Sequence, residues 1–147
     1  MTAFDVLERA TVAVEPDATA RRIRQFARRH PGVVRDDRYR RPAHDGTVYG
    51  ACYALNEAYF HAAGGRDADL GIYCLSWGDV YPDGDGTHWY LRAEPDGRWI
   101  DLSLERAREG ATVPFERGRK RAWMTGYEPS NRTERVLAAL NLEVSDA

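Results

Sequence analysis

The stretch ACYALNEAYFHAAGG, residues 51–65, restricts the fold of this chain more than any other segment. Its spacing predicts a helix over 51–63, stopped by Gly64-Gly65. At about 100° per residue, Cys52, Leu55, Tyr59 and Ala62 share one side, and Tyr53 and Phe60 widen that arc. Glu57 and His61 read as its polar edge. A helix this apolar belongs in an interior, so the rest of the chain must wrap around it. With 147 residues, 43% of them apolar and 30% charged, one domain can supply that wrapping without staples.

The flanking segments read as parts of that wrapping. Residues 1–49 form a basic, helical flank, with a short helix at 3–11 and a better one in PDATARRIRQFARRH, which Asp17 caps and Pro31-Gly32 ends. Residues 50–103 hold the cysteine helix and a sheet, and 104–147 a C-terminal segment closing on a helix capped by Ser130 or Asn131. LGIYCLSW reads as a strand with Leu70, Ile72 and Cys74 on one face and Tyr73, Leu75 and Trp77 on the other. Residues 87–93 and 98–102 read as a hairpin turning at Pro95-Asp96, and 103–109 as a short helix. With that turn, paired positions sum to 191, so Arg92 faces Trp99 and Tyr90 faces Asp101. Trp89, Leu91, Ile100 and Leu102 then share a core face, and His88, Tyr90, Trp99 and Asp101 share the other.

Charge is segregated although the net is only −2. Residues 21–41 carry +7, 42–105 carry −8, and 106–121 carry +4. Intramolecular matching of these blocks is one reading; an arginine patch for nucleic acid or an acidic protein is the other. The sequence shows neither a signal peptide nor an apolar run of membrane-spanning length, and its two cysteines read as free thiols in a reducing cytoplasm.

Three residues suggest chemistry: Cys52 at a helix start, His88 and Asp101 on adjoining strands. A thiol is a nucleophile as its thiolate, which a helix N-terminus and a neighbouring imidazolium favour. A carboxylate behind the imidazole fixes its tautomer and supports its charged form. Taken singly, Cys52 reads equally as a small core residue, His88 as an ordinary histidine and Asp101 as a helix cap. Cys74, mid-strand, reads as core, and His44 and His61 as surface. A zinc site from Cys52, His88 and Asp101 lacks a close ligand pair, and the Asp79, Asp83 and Asp85 loop lacks calcium-loop spacing. Neither metal nor cofactor is expected. Those three acids read instead as a rim favouring cationic substrates.

The ordered set Gly50-Ala51-Cys52, Thr87-His88-Trp89 and Gly97-Arg98-Trp99-Ile100-Asp101 resembles the core of transglutaminase-like enzymes of the papain-like cysteine hydrolase superfamily. The resemblance implies an α+β fold with a central helix on a small antiparallel sheet. It implies Cys52 as nucleophile, His88 as general base and acid, and Asp101 as orienting group. Activity would be acyl transfer, most simply hydrolysis of an amide or ester in a peptide, protein or small acyl substrate. Tyr49 is the candidate for oxyanion binding, and Trp89, Tyr90 and Trp99 for substrate contact. Asp101 is followed by Leu102-Ser103 where that family usually has a proline. The chain also resembles small uncharacterised phage and prophage proteins, through the CY…EA…H…GG, HW and D pattern and Pro129-Ser130-Asn131-Arg132. That likeness suggests the alternative of a non-catalytic binding or assembly protein.

Overall fold

The computed structural model describes residues 12–35, 50–106 and 113–142. Helices α1 (Ala18–Arg29), α2 (Pro31–Val34), α3 (Cys52–Ala62) and α4 (Asn131–Ala139) accompany strands β1 (Leu70–Ser76), β2 (Thr87–Ala93), β3 (Arg98–Ile100) and β4 (Arg119–Lys120). The strands form an antiparallel sheet in the order β3-β2-β1-β4, so the chain is α+β. The helix expected at 3–11 lies outside the described residues, as do Tyr49 and His44. Of the helix expected at 103–109, residues 103–106 are turns and 107–109 fall outside the description.

Local chemistry accounts for the helix ends. Asp17 caps α1 by accepting the Ala20 N–H at 2.9 Å. Ser130, not Asn131, caps α4, its Oγ accepting from the Thr133 N–H at 3.4 Å. Beyond α3, Gly64 adopts a φ of 129°, which side-chain-bearing residues rarely tolerate.

Strand alternation divides the interior in two. Ile72, Cys74, Trp89, Leu91 and Ile100 pack with α1, α3 and α4 in the main core. Leu75 and Tyr90 point the other way, into a smaller cluster with Val12, Leu104 and Phe115. The face opposite the main core is therefore also covered. The hairpin keeps the expected register, pairing Leu91 with Ile100, Arg92 with Trp99 and Ala93 with Arg98. Its turn is longer than Pro95-Asp96, because the Glu94 N–H bonds to the Asp69 carbonyl at 2.9 Å instead of closing the hairpin. Strand β4 pairs with β1 at Tyr73 and Cys74. Both its residues are exposed cations, so no apolar alternation marks it in sequence.

The arginine belt is partly consumed inside the molecule. Arg24 is buried, and its guanidinium donates to the Leu104 and Glu105 carbonyls at 2.6 and 2.9 Å and to Glu15 at 3.0 Å. Arg22 donates to the Leu140 carbonyl at 2.6 Å, and Arg28 lies 3.4 Å from the Glu105 carboxylate. Of these contacts, the Arg28–Glu105 pair joins a charge of the basic block to one of the acidic block, while Arg24 and Arg22 are spent mainly on backbone carbonyls. Among the described residues, no helix is long and apolar enough to cross a membrane.

Candidate active site

Helix α3 begins at Cys52, and the geometry of its start follows from two residues before it. Gly50 has a φ of 79°, where glycine is favoured. Ala51 occupies the cap position without a capping side chain. The first turn's amides and the positive end of the helix are thereby left beside the thiol. Cys52 is a free, half-buried cysteine on the wall of a cleft of about 910 Å³, which His88 also lines.

His88 stands on β2 with its Nε2 2.6 Å from Asp101 Oδ2. Asp101 is fully buried, while the His88 side chain retains 13% exposure toward the cleft. The other carboxylate oxygen, Oδ1, accepts from the Ser103 Oγ at 2.6 Å, the Ser103 N–H at 2.9 Å and the Asn56 Nδ2 at 3.0 Å. A buried carboxylate with four donors is fixed in both position and charge. Since Nε2 is engaged by Asp101, Nδ1 is the ring nitrogen left for the thiol.

Asn56 explains why Asp101 can reach His88 at all. The register continues to Trp89 opposite Leu102, yet β3 stops at Ile100. The Asn56 amide occupies the gap. Its Oδ1 accepts the Leu102 N–H at 2.9 Å and its Nδ2 donates to the Trp89 carbonyl at 2.9 Å, the two groups that a continued ladder would join. This wedge from α3 holds the strand ends apart and satisfies the exposed backbone. The Cys52 carbonyl also lies 2.9 Å from Nδ2, whose two N–H groups are shared among it, the Trp89 carbonyl and Asp101 Oδ1, which ties the amide to the first turn of the same helix. One side chain thus links the nucleophile's helix, the histidine's strand and the aspartate.

The electrostatics follow from this geometry. Burial alone would lower the His88 pKa, but the charge and hydrogen bond of Asp101 outweigh it, and Cys52 adds hydrogen-bonding and Coulombic contributions in the same direction. The result is a pKa pushed up to about 10. Burial alone would raise the Asp101 pKa. The His88 charge and the hydrogen bonds from His88, Ser103 and Asn56 reverse that, leaving it below the usual carboxylate value. The pair is therefore an imidazolium–carboxylate pair at neutral pH. Cys74 is different, since burial raises its thiol pKa and keeps it in the neutral core form.

Cys52, His88 and Asp101 are thus brought together, and Trp89 joins Cys52 and His88 on the cleft wall. Tyr90 and Trp99, expected to touch substrate, lie away from the cleft. Tyr90 is fully buried, its hydroxyl donating to the Phe115 carbonyl at 2.6 Å, and Trp99 packs edge-on against Tyr73. Val113 and Phe115 pack on that second face of the sheet. Trp77, which parity did not single out, lines the cleft with its ring 5.8 Å from that of His88. Asp79, Asp83 and Asp85 are not among the cleft's lining residues.

His61, expected at the surface, is 2% exposed, and Glu57 beside it is fully buried. Glu57 is covered because the start of α4 docks on it, Glu57 accepting the Ser130 N–H at 3.1 Å and its Oγ at 2.6 Å. Asn56 and Ser103 were not recognisable as site residues from types and spacing alone. The available signal was a lone amide in an otherwise apolar turn, four residues after Cys52. No cluster of three or more His, Cys, Asp or Glu suited to a metal ion occurs among the described residues. No family model, curated protein sequence or solved structure matches the chain.

Proposed function

We propose that the chain is a cysteine-dependent acyl-transfer enzyme with a papain-like core of the transglutaminase-like kind, most simply an amidase or esterase. The observation that carries this reading is the buried Asp101 carboxylate, held by four donors and bonded to His88 at 2.6 Å, beside a thiol at an uncapped helix start. A structural histidine needs no such support on the wall of an open cleft.

In this reading the Cys52 thiolate attacks the carbonyl carbon, and the negative charge moves to the carbonyl oxygen. The Cys52 N–H, at the start of α3, is the donor available to that oxyanion. As the tetrahedral adduct collapses, the carbon–nitrogen or carbon–oxygen bond breaks and His88 gives its proton to the departing group. The acyl thioester is then attacked by water, whose proton His88 takes; the carbon–sulfur bond breaks, releasing the acid and restoring the thiolate beside the imidazolium. Asp101 stays ionised throughout and supports the imidazolium in each half-reaction.

An activated ester tests the reading. With p-nitrophenyl acetate, the wild type should release a burst of nitrophenolate stoichiometric with enzyme and carry an acetyl group on Cys52. Cys52→Ala should lose both. Acetylation confined to lysines, or a burst that survives Cys52→Ala, contradicts it.

A further inference from the structure

Resting on that reading, the side chains behind the Asp101 carboxylate divide its support between them. We infer that Ser103 is a positioning residue for the acyl-transfer reaction: its hydroxyl aims Asp101 at His88, whereas Asn56 chiefly spaces the strands. The last torsion of an aspartate is soft, so which oxygen meets the imidazole depends on what holds the other one. Oδ1 is held by three donors, and they are unequal. Asn56 Nδ2 has two N–H groups for three acceptors, so its bond to the carboxylate is shared with the Cys52 and Trp89 carbonyls. The Ser103 N–H, at 2.9 Å, belongs to the local turn that starts at Asp101 itself. The Ser103 Oγ is nearest, at 2.6 Å, and its single hydrogen goes to Asp101. A short O–H bond to an ionised oxygen is among the stronger hydrogen bonds a protein makes.

The backbone that carries this hydroxyl is pinned on both sides of the residue. Before it, the Asp101 N–H bonds to the Ala13 carbonyl at 3.1 Å and the Leu102 N–H to Asn56 Oδ1 at 2.9 Å. After it, the Leu104 and Glu105 carbonyls accept from the buried Arg24 guanidinium at 2.6 and 2.9 Å. Ser103 itself is buried, so water does not compete for its hydroxyl. These pins fix the main chain of the turn, and the Ser103 Oγ passes that fixed position on to the carboxylate. The oxygen that meets His88 at 2.6 Å is thereby set before substrate arrives.

A double-mutant cycle tests the proposal, read as the rate of the nitrophenolate burst at Cys52. Ser103→Ala deletes the hydroxyl and keeps the backbone bonds of the turn. It should slow the burst by about fivefold or more, part of the factor that an aligned acid–base partner supplies. In Asp101→Asn the same change should alter the rate by less than about twofold, because the group through which Ser103 acts is already replaced. In folded Ser103→Ala, the His88 Nε2–H resonance, assigned by its absence from His88→Gln, should exchange with water faster than in the wild type. Ser103→Thr, which keeps the hydroxyl, should preserve that resonance and most of the rate. A burst rate and an imidazole resonance unchanged by Ser103→Ala, or equal slowing with and without the Asp101 carboxylate, overturns the positioning role and leaves the thiol chemistry standing. A wild type without a burst overturns the reading beneath it, and the imidazole resonance then still decides whether Ser103 holds Asp101 against His88.

Discussion

Two histidines sit beside buried carboxylates in this molecule, one lining the cleft and one in the interior, and their opposite behaviour explains what makes one of them chemically useful. His88 and Asp101 meet at 2.6 Å, whereas His61 and Glu57 are 3.9 Å apart on one face of α3. At His88 the carboxylate overcomes burial and raises the pKa; at His61 burial prevails over Glu57 and lowers it. The difference lies in where each carboxylate is spent. Asp101 directs one whole oxygen at the imidazole, while three donors hold the other. Glu57 gives one oxygen to the cap of α4, and the ring nitrogens of His61 find no hydrogen-bond partner among the described residues. Proximity to a carboxylate is insufficient; an oriented hydrogen bond is what keeps a buried imidazole charged.

The largest expected effect is on catalysis. His88→Gln should slow acetylation of Cys52 by p-nitrophenyl acetate by about 100-fold or more, the scale of losing the proton-transfer partner that sustains the thiolate. His61→Gln should leave the rate within about twofold once the folded fraction is matched, because that ring is absent from the cleft lining. Equal losses in the two variants would dissolve the distinction between the pairs.

Next in size is the wedge that aligns Asp101. Asn56→Leu removes the partner of the Leu102 N–H, the Trp89 carbonyl and one bond to Asp101, all buried. Leaving several such groups unsatisfied should cost about 3 kcal/mol or more in urea denaturation. A loss under about 1 kcal/mol would mean that the strands simply close and pair, and that Asn56 does not set their spacing.

The smallest effect concerns pH, and here the two histidines should differ in sign. His88 gains pKa on folding, so its contribution is full below its ordinary value of 6.5 and fades as pH rises toward about 10. Asp101 has a lowered pKa, so its contribution is present above the ordinary 3.8 and is lost as pH falls through the lower folded value. The stability difference between wild type and His88→Gln should therefore be greatest between about pH 4 and 6.5 and shrink on the alkaline side. His61 has its pKa lowered, so the unfolded chain binds more protons below about pH 6.5 and stability falls there. His61→Leu should remove that acid-side loss. Parallel pH profiles for the two variants would contradict the assignment.

Much of the site was readable before the fold. The pairing sum of 191 and two-residue alternation correctly placed His88 beside Asp101, and Gly50-Ala51-Cys52 marked the start of α3. What parity could not supply was the covering of the second sheet face. Tyr90 and Trp99 share that face with His88, but Phe115, arriving from a segment with little periodicity, packs over them. Glu57 and His61 were misread for a related reason. Their helix position is polar by composition, and only tertiary packing, at Glu57 the docking of α4, makes it interior. Asn56 escaped notice because a single amide carries no pattern; its role depends on two backbone groups more than 30 residues away.

The central claim is that His88, held by Asp101, activates Cys52. Its most direct test compares the two thiols of one molecule, through iodoacetamide alkylation of Cys52 and Cys74 at about pH 7, resolved by mass spectrometry. Cys52, on the cleft wall beside His88, should react faster than a small free thiol at the same pH. Cys74, buried in the core with its pKa raised, should stay nearly unlabelled. In His88→Gln the Cys52 rate should fall toward that of the free thiol. A wild-type Cys52 rate no higher than the free thiol's, or one that His88→Gln leaves unchanged, would contradict the account.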